Sequence, residues 1–171
     1  TVHVERAGEG AGATFFVNLP IAAVSLLPGA ENGESPSLPG LKGLRVLVVD
    51  DETDAREILT HVLQGYGMET ESAATAFEAL SKLESYRPDV IVSDVGMPGE
   101  DGYWLMTQVR ALPQELGGET PAIALTAYAS AEDRARALSA GYQVHLPKPA
   151  EAPALAKAIA VATGRAGKAF R

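Results

Sequence analysis

Four short apolar runs recur along the chain, each closed by polar residues: Leu44–Val49, Val90–Val92, Ala122–Leu125 and Val144–Leu146. Arg45 and His145 are the polar interruptions within them. Runs of this length and continuity predict strands buried on both faces of a sheet. A weaker run at Met68–Thr70 predicts a second strand in chain order. Between the runs the apolar spacing changes to the helical period. Ile58, Leu59, Val62, Leu63 and Tyr66 mark one helix over Glu52–Tyr66, ended by Gly65 and Gly67. Phe77, Leu80 and Leu83 mark a second over Thr75–Tyr86, and Leu105, Val109 and Leu112 a third over Asp101–Leu112. A short Ala-rich helix spans Ala131–Ala140 and stops at Gly141, and Leu155, Ile159 and Ala162 define a last one over Pro149–Thr163. Strand–helix alternation of this kind predicts an α/β fold with a parallel sheet covered on both faces.

The first 43 residues follow another pattern. Val2–Glu5 and Thr14–Leu19 alternate in hydrophobicity around Gly8, Gly10 and Gly12, which predicts an antiparallel hairpin with a long turn. Residues 21–43 carry Pro28, Pro36 and Pro39 among several glycines and read as a linker. The expected organisation is a hairpin over 1–20, a linker over 21–43, the α/β domain over 44–165 and a tail over 166–171.

The strand ends carry the chemistry. Asp50 and Asp51 follow the first strand of the α/β region, Asp94 the third, Thr126 the fourth and Lys148 the fifth. Carboxyl ends of neighbouring parallel strands open into one crevice. Three carboxylates there would repel one another and call for a cation, and an all-oxygen donor set suits Mg²⁺. A carboxylate such as Asp94 can attack phosphorus, while a hydroxyl and an ammonium can hold phosphoryl oxygens. Composition narrows the partners. A net charge of −8 disfavours nucleic acid and anionic lipid, and the absence of cysteine excludes disulfides and thiolate metal sites. No apolar stretch is long enough to span a bilayer. Each site residue also has a plainer role when taken alone: a helix cap for Asp50–Asp51, a strand position for Thr126, a surface lysine for Lys148. Their joint order favours a site. His3 and His61 read as solvated positions, and Tyr103 and Trp104 as ordinary packing.

Val48-Val49-Asp50-Asp51-Glu52, Ser93-Asp94 continuing to Gly102, Leu125-Thr126-Ala127 and Leu146-Pro147-Lys148-Pro149 resemble the receiver domain of bacterial response regulators. The resemblance covers roughly residues 43–165. It implies a flavodoxin-like doubly wound sheet with strand order 2-1-3-4-5, an order for which receivers are a standing example. It also implies that Asp94 is the phosphoacceptor and that Asp51, Asp94 and the Gly96 carbonyl bind Mg²⁺, with Asp50 assisting through water. Thr126 and Lys148 would sense the phosphoryl group, and the Lys148–Pro149 bond would be cis. Response regulators usually carry Tyr or Phe three residues before the lysine, whereas this chain has His145. Two readings of His145 follow: a surface-facing substitution, or a switch that moves inward behind Thr126.

The segment from Ala7 to Pro20 is similar to the closing strands of a histidine kinase ATP-binding domain. Together the two resemblances imply the C-terminal part of a hybrid sensor histidine kinase. The nucleotide-binding boxes and a phosphodonor histidine are missing from this stretch, so it should not bind ATP, and its hairpin edges should seek another partner. The expected function is a phosphorelay receiver that takes a phosphoryl group from a histidine phosphodonor onto Asp94. The implied partner is a kinase or phosphotransfer domain; no nucleic acid or direct membrane contact is expected, and a homodimer is compatible. The expected setting is cytoplasmic, with any membrane anchor of the parent chain lying elsewhere. The alternatives are a metal-dependent phosphatase, which would want Asp-x-Asp after the first strand, and a pseudo-receiver, which should have lost a site residue.

Overall fold

The computed structural model describes residues 2–6, 13–17, 40–127 and 130–165. The chain divides into two compact units, Thr1–Gly33 and Glu34–Arg171. In the first, β1 (Val2–Arg6) pairs antiparallel with β2 (Ala13–Val17), with Val2 opposite Val17 and Arg6 opposite Ala13. The expected hairpin strands are therefore present. The glycine turn between them, the linker as far as residue 39 and the tail lie outside the described residues.

The second unit is a five-stranded sheet of β3 (Arg45–Val49), β4 (Glu69–Ala73), β5 (Val90–Asp94), β6 (Ala122–Thr126) and β7 (Val144–Pro147). All pairings are parallel and the order is β4-β3-β5-β6-β7, the expected flavodoxin-like order. The helices are α1 (Thr53–Gly65), α2 (Ala76–Tyr86), α3 (Gly102–Ala111), α4 (Ala131–Ala140) and α5 (Ala152–Ala162). Side chains alternate across each strand, so the sheet builds two cores. Val46, Val48, Val90, Val92, Ile123 and Leu125 face α1 and α5. Leu47, Val49, Ile91, Ala122 and Ala124 face α2, α3 and α4.

Local chemistry starts the helices where the strands need them. Thr75, Asp101 and Ser130 are extended N-caps whose side chains accept from Glu78, Trp104 and Asp133 backbone N–H groups. Each such cap contributes about 1 kcal/mol. Helix α3 is pinned closely to β5. A Cβ on Gly102 would lie 2.6 Å from the Asp94 carbonyl oxygen and 2.8 Å from the Tyr142 hydroxyl. That hydroxyl donates to the Gly102 carbonyl at 2.9 Å, and burial holds the phenol well above its ordinary pKa.

Several expectations shift. The weak second strand is longer than Met68–Thr70 and runs to Ala73 at the sheet edge. The last helix begins at Ala152, because Lys148 still donates its backbone N–H to the Thr126 carbonyl at 2.7 Å. Ile58 and Phe77, expected on buried faces, are 64% and 59% exposed. A short 3₁₀ turn at Gln114–Leu116 was not predicted. Leu41, inside the expected linker, is fully buried in the α1/α5 core.

Candidate functional site

The site forms at the carboxyl edge of the sheet. Asp50 directly follows β3, Asp94 and Thr126 end β5 and β6, and Lys148 directly follows β7. Strand order places β3, β5, β6 and β7 side by side, so four residues spread over 98 positions of sequence meet in one crevice. Because β3 ends at Val49, the chain turns and both Asp50 and Asp51 reach it. Carboxylate oxygens of Asp50, Asp51 and Asp94 lie within 4.8 Å of one another. Asp50 and Asp94 are buried, and Asp51 is the most accessible of the three.

Lys148 closes the crevice. Its Nζ lies 2.7 Å from Asp50 Oδ2 and 2.9 Å from Asp94 Oδ2. Burial alone would lower its pKa. Hydrogen bonds to Asp50 and Asp94, with their charges, outweigh that effect, so the pKa is raised and the ammonium persists. The Lys148–Pro149 peptide bond is cis, as expected. Asp94 Oδ1 accepts the Gly96 backbone N–H at 2.9 Å, and Asp50 Oδ1 accepts that of Glu52 at 2.9 Å. The plainer role of Asp50–Asp51 as a helix cap is not realised: Glu52 is the N-cap of α1 and has no side-chain cap bond.

Thr126 is 6% exposed, and its Oγ1 lies 2.6 Å from His145 Nε2. His145 is half-buried on β7 and directed at the threonine, so the surface-facing reading does not describe it. His61 is exposed on α1. Trp104 packs its ring 5.1 Å from Phe77, and the Arg136 guanidinium sits 4.1 Å over the Tyr103 ring, which is the ordinary packing expected.

Arg56 also supports the site, though no pattern in the sequence marks it out. Its Nη1 donates to the Asp50 carbonyl at 2.6 Å and more weakly to the Asp51 carbonyl at 3.5 Å. It thereby fixes the backbone that carries the acidic pair. A basic residue one turn into a helix carries no signal by itself, since its targets are main-chain oxygens.

Beside the crevice, an open cleft of about 400 Å³ is lined by Ile58, Leu59, Leu125, Lys148, Pro149 and Ala150, among others. Its walls are largely apolar, and its floor touches Asp50 and Lys148.

A doubly wound parallel sheet with an acidic cluster, a threonine and a lysine at its carboxyl edge defines a phosphoryl-handling α/β signalling domain. The response regulator receiver domain family matches residues 46–160, more than half of the chain, and the protein belongs to that family. It is 48% identical over 112 residues to an uncharacterised 14.6 kDa protein of Leptolyngbya boryana, covering 65% of this chain and 83% of that one. It is 35% identical over 125 residues to the sensor histidine kinase RcsC of Salmonella typhi, covering 73% of this chain but 13% of the kinase. Among solved structures, the chemotaxis protein CheY4 of Vibrio cholerae superposes with a TM-score of 0.65 at 36% identity, over 70% of this chain and 98% of that one. The receiver domain of the sensor histidine kinase PA1611 of Pseudomonas aeruginosa, solved with magnesium in its active-site cleft, gives a TM-score of 0.65 at 31% identity, over 71% and 98% of the two chains.

The protein is thus a receiver module of two-component signalling. Asp50, Asp51, Asp94, Thr126 and Lys148 are all present, so a pseudo-receiver is not favoured. Neither is a phosphatase, whose Asp-x-Asp spacing is missing.

Proposed function

We propose that Asp94 accepts a phosphoryl group from a phosphohistidine donor. A carboxylate oxygen of Asp94 bonds to phosphorus as the donor's N–P bond breaks, leaving a neutral imidazole after proton uptake. The observation that carries this reading is Lys148 Nζ held between Asp50 and Asp94, with Thr126 ending the adjacent strand. Lys148 neutralises charge on the incoming group, and the Thr126 hydroxyl donates to a phosphoryl oxygen. The three carboxylates fit a hard divalent cation; in this reading Asp51 and Asp94 would bind it directly with the Gly96 carbonyl, and Asp50 would assist through water. Bound Mg²⁺ would offset charge on the phosphoryl oxygens.

The apolar cleft beside Lys148 is the seat for the donor. Exposed Ile58 and neighbouring Pro149 and Ala150 suit the apolar face of a helix that presents a histidine to Asp94. A cytoplasmic setting goes with a phosphohistidine donor in this reading. No described helix is long and apolar enough to cross a membrane. The resemblance of residues 7–20 to the closing strands of a kinase ATP-binding domain, with the likeness to the RcsC receiver region, supports a hybrid sensor histidine kinase as the parent chain.

The test is incubation with acetyl phosphate and Mg²⁺ followed by intact-mass measurement. One added phosphoryl group per chain is expected, and Asp94→Asn should abolish it. Undiminished labelling in Asp94→Asn would overturn the assignment.

A further inference from the structure

We infer that Tyr142 is a positioning residue for the phosphoryl site: it clamps the neck of the loop that carries the Asp94 carboxylate and the Gly96 carbonyl. The inference rests on Asp94 being the phosphoacceptor. It adds to that site a residue that touches neither the phosphoryl group nor a metal.

The loop between β5 and α3 runs from Val95 to Asp101, and its two ends touch. Gly102 donates its backbone N–H to the Val95 carbonyl at 3.1 Å. It lies so close to the Asp94 carbonyl oxygen and Val95 Cα that a Cβ would stand 2.6 and 2.8 Å from them. Inside the loop, Gly96 donates its N–H to Asp94 Oδ1 at 2.9 Å. The neck therefore sets where the phosphoacceptor carboxylate and the Gly96 peptide stand relative to each other. Tyr142 closes this neck from the α3/α4 side of the sheet. Its buried hydroxyl donates to the Gly102 carbonyl at 2.9 Å. On the other side of the neck, the buried Ser93 hydroxyl donates to the Asp94 carbonyl at 2.8 Å. In both bonds the acceptor is a carbonyl, which can only accept, so the two hydroxyls are the donors.

Tyr142 reaches the neck from a fixed base. It follows Gly141, the left-handed C-cap of α4 with φ 105°, and its own N–H donates to the Ala137 carbonyl at 3.2 Å. Arg110, in the last turn of α3, donates from Nε and Nη2 to the Gly141 carbonyl at 3.1 and 2.8 Å. On the other side, Gln143 donates its N–H to the Ala122 carbonyl at 2.9 Å. Backbone anchored to α3 and β6 on either side of the phenol lets it hold Gly102 in place rather than follow it. A core position by itself would demand only the ring. The hydroxyl adds a directional bond at the one place where the loop's two ends meet.

Tyr142→Phe keeps the ring and removes that bond. Calorimetric titration with Mg²⁺ and labelling by acetyl phosphate at saturating Mg²⁺ read the consequence. The Mg²⁺ dissociation constant should rise about twofold to fivefold, within what one net hydrogen bond supplies. The maximal labelling rate should fall by a similar factor, while the acetyl phosphate concentration at half-maximal rate stays within about twofold. Ile159→Val separates positioning from simple loss of stability. It lies in the α1/α5 core on the opposite face of the sheet and should lose comparable stability, yet leave Mg²⁺ affinity and labelling rate unchanged. Unchanged Mg²⁺ affinity or unchanged labelling rate in Tyr142→Phe overturns the inference, and so do equal shifts in the two variants. Failure of the unaltered protein to take a phosphoryl group would instead defeat the phosphoacceptor reading itself, so the two failures are distinguishable.

Discussion

Lys148 answers two demands at the scale of a single residue. It must be free to meet a phosphoryl group, yet at rest it is the countercharge for two buried carboxylates, with Nζ within 2.9 Å of both Asp50 and Asp94. Removing it leaves Asp50 and Asp94 facing each other without compensation. Lys148→Met should therefore lower stability by about 1–3 kcal/mol at low Mg²⁺, less than for a fully buried pair because the side chain is partly exposed. Added Mg²⁺ should restore much of that loss by supplying positive charge to the same carboxylates. Thermal unfolding with and without the ion checks it, and a loss that Mg²⁺ fails to relieve would count against the shared acidic site. The residues of this site were legible in the sequence because each lies within two positions of the end of an apolar run, a place that parallel topology converts into proximity. Arg56 and Tyr142 were not, because their partners are backbone carbonyls of Asp50 and Gly102. Nothing in residue spacing marks a carbonyl as a target.

Elements were legible in proportion to how many of their faces are buried. Strands β5 and β6 are buried along their whole length, and their apolar runs located them well. Strand β4 pairs on one side only and keeps Glu69 and Glu71 in solvent, so its sequence shows only a weak run. Ile58 and Phe77 fit the helical period but stand at the margin of their apolar stripes. Phe77 lies against the tilted Trp104 ring, and Ile58 opens onto the cleft beside the site. Helix α3 meets the end of β5 closely, and Gly102 has no room for a Cβ. Gly102→Ala should cost about 1–3 kcal/mol through overpacking against the Asp94 carbonyl and Tyr142. Tyr142→Phe should cost about 1 kcal/mol, the worth of its bond to the Gly102 carbonyl. Chemical denaturation of both variants tests the ranking; an unchanged midpoint for Gly102→Ala would show that α3 can shift without strain.

At the scale of the whole molecule, the α/β unit holds everything its sheet needs between Leu41 and Ala162. Its entry is more than a tether. Leu41 and Leu44 are fully buried, Gly43 donates its backbone N–H to the Gly67 carbonyl at 2.8 Å, and Arg165 Nη1 reaches the Gly40 carbonyl at 2.9 Å. The Pro- and Gly-rich composition of residues 21–43 read as linker throughout and could not reveal this, because the core partners of Leu41 come from distant parts of the chain. Domain boundaries can therefore be set by physics. A fragment of residues 34–171 should fold alone, unfold cooperatively and take one phosphoryl group from acetyl phosphate. A fragment starting at residue 46, where the family match begins, loses both leucines from the α1/α5 core. Two emptied leucine sites at roughly 2–5 kcal/mol each would exhaust most of the stability of a domain this size. The shorter fragment should show a broadened or absent unfolding transition and reduced labelling. Equal thermal midpoints for the two fragments would mean that the turn at 40–44 merely rests on the core and does not complete it.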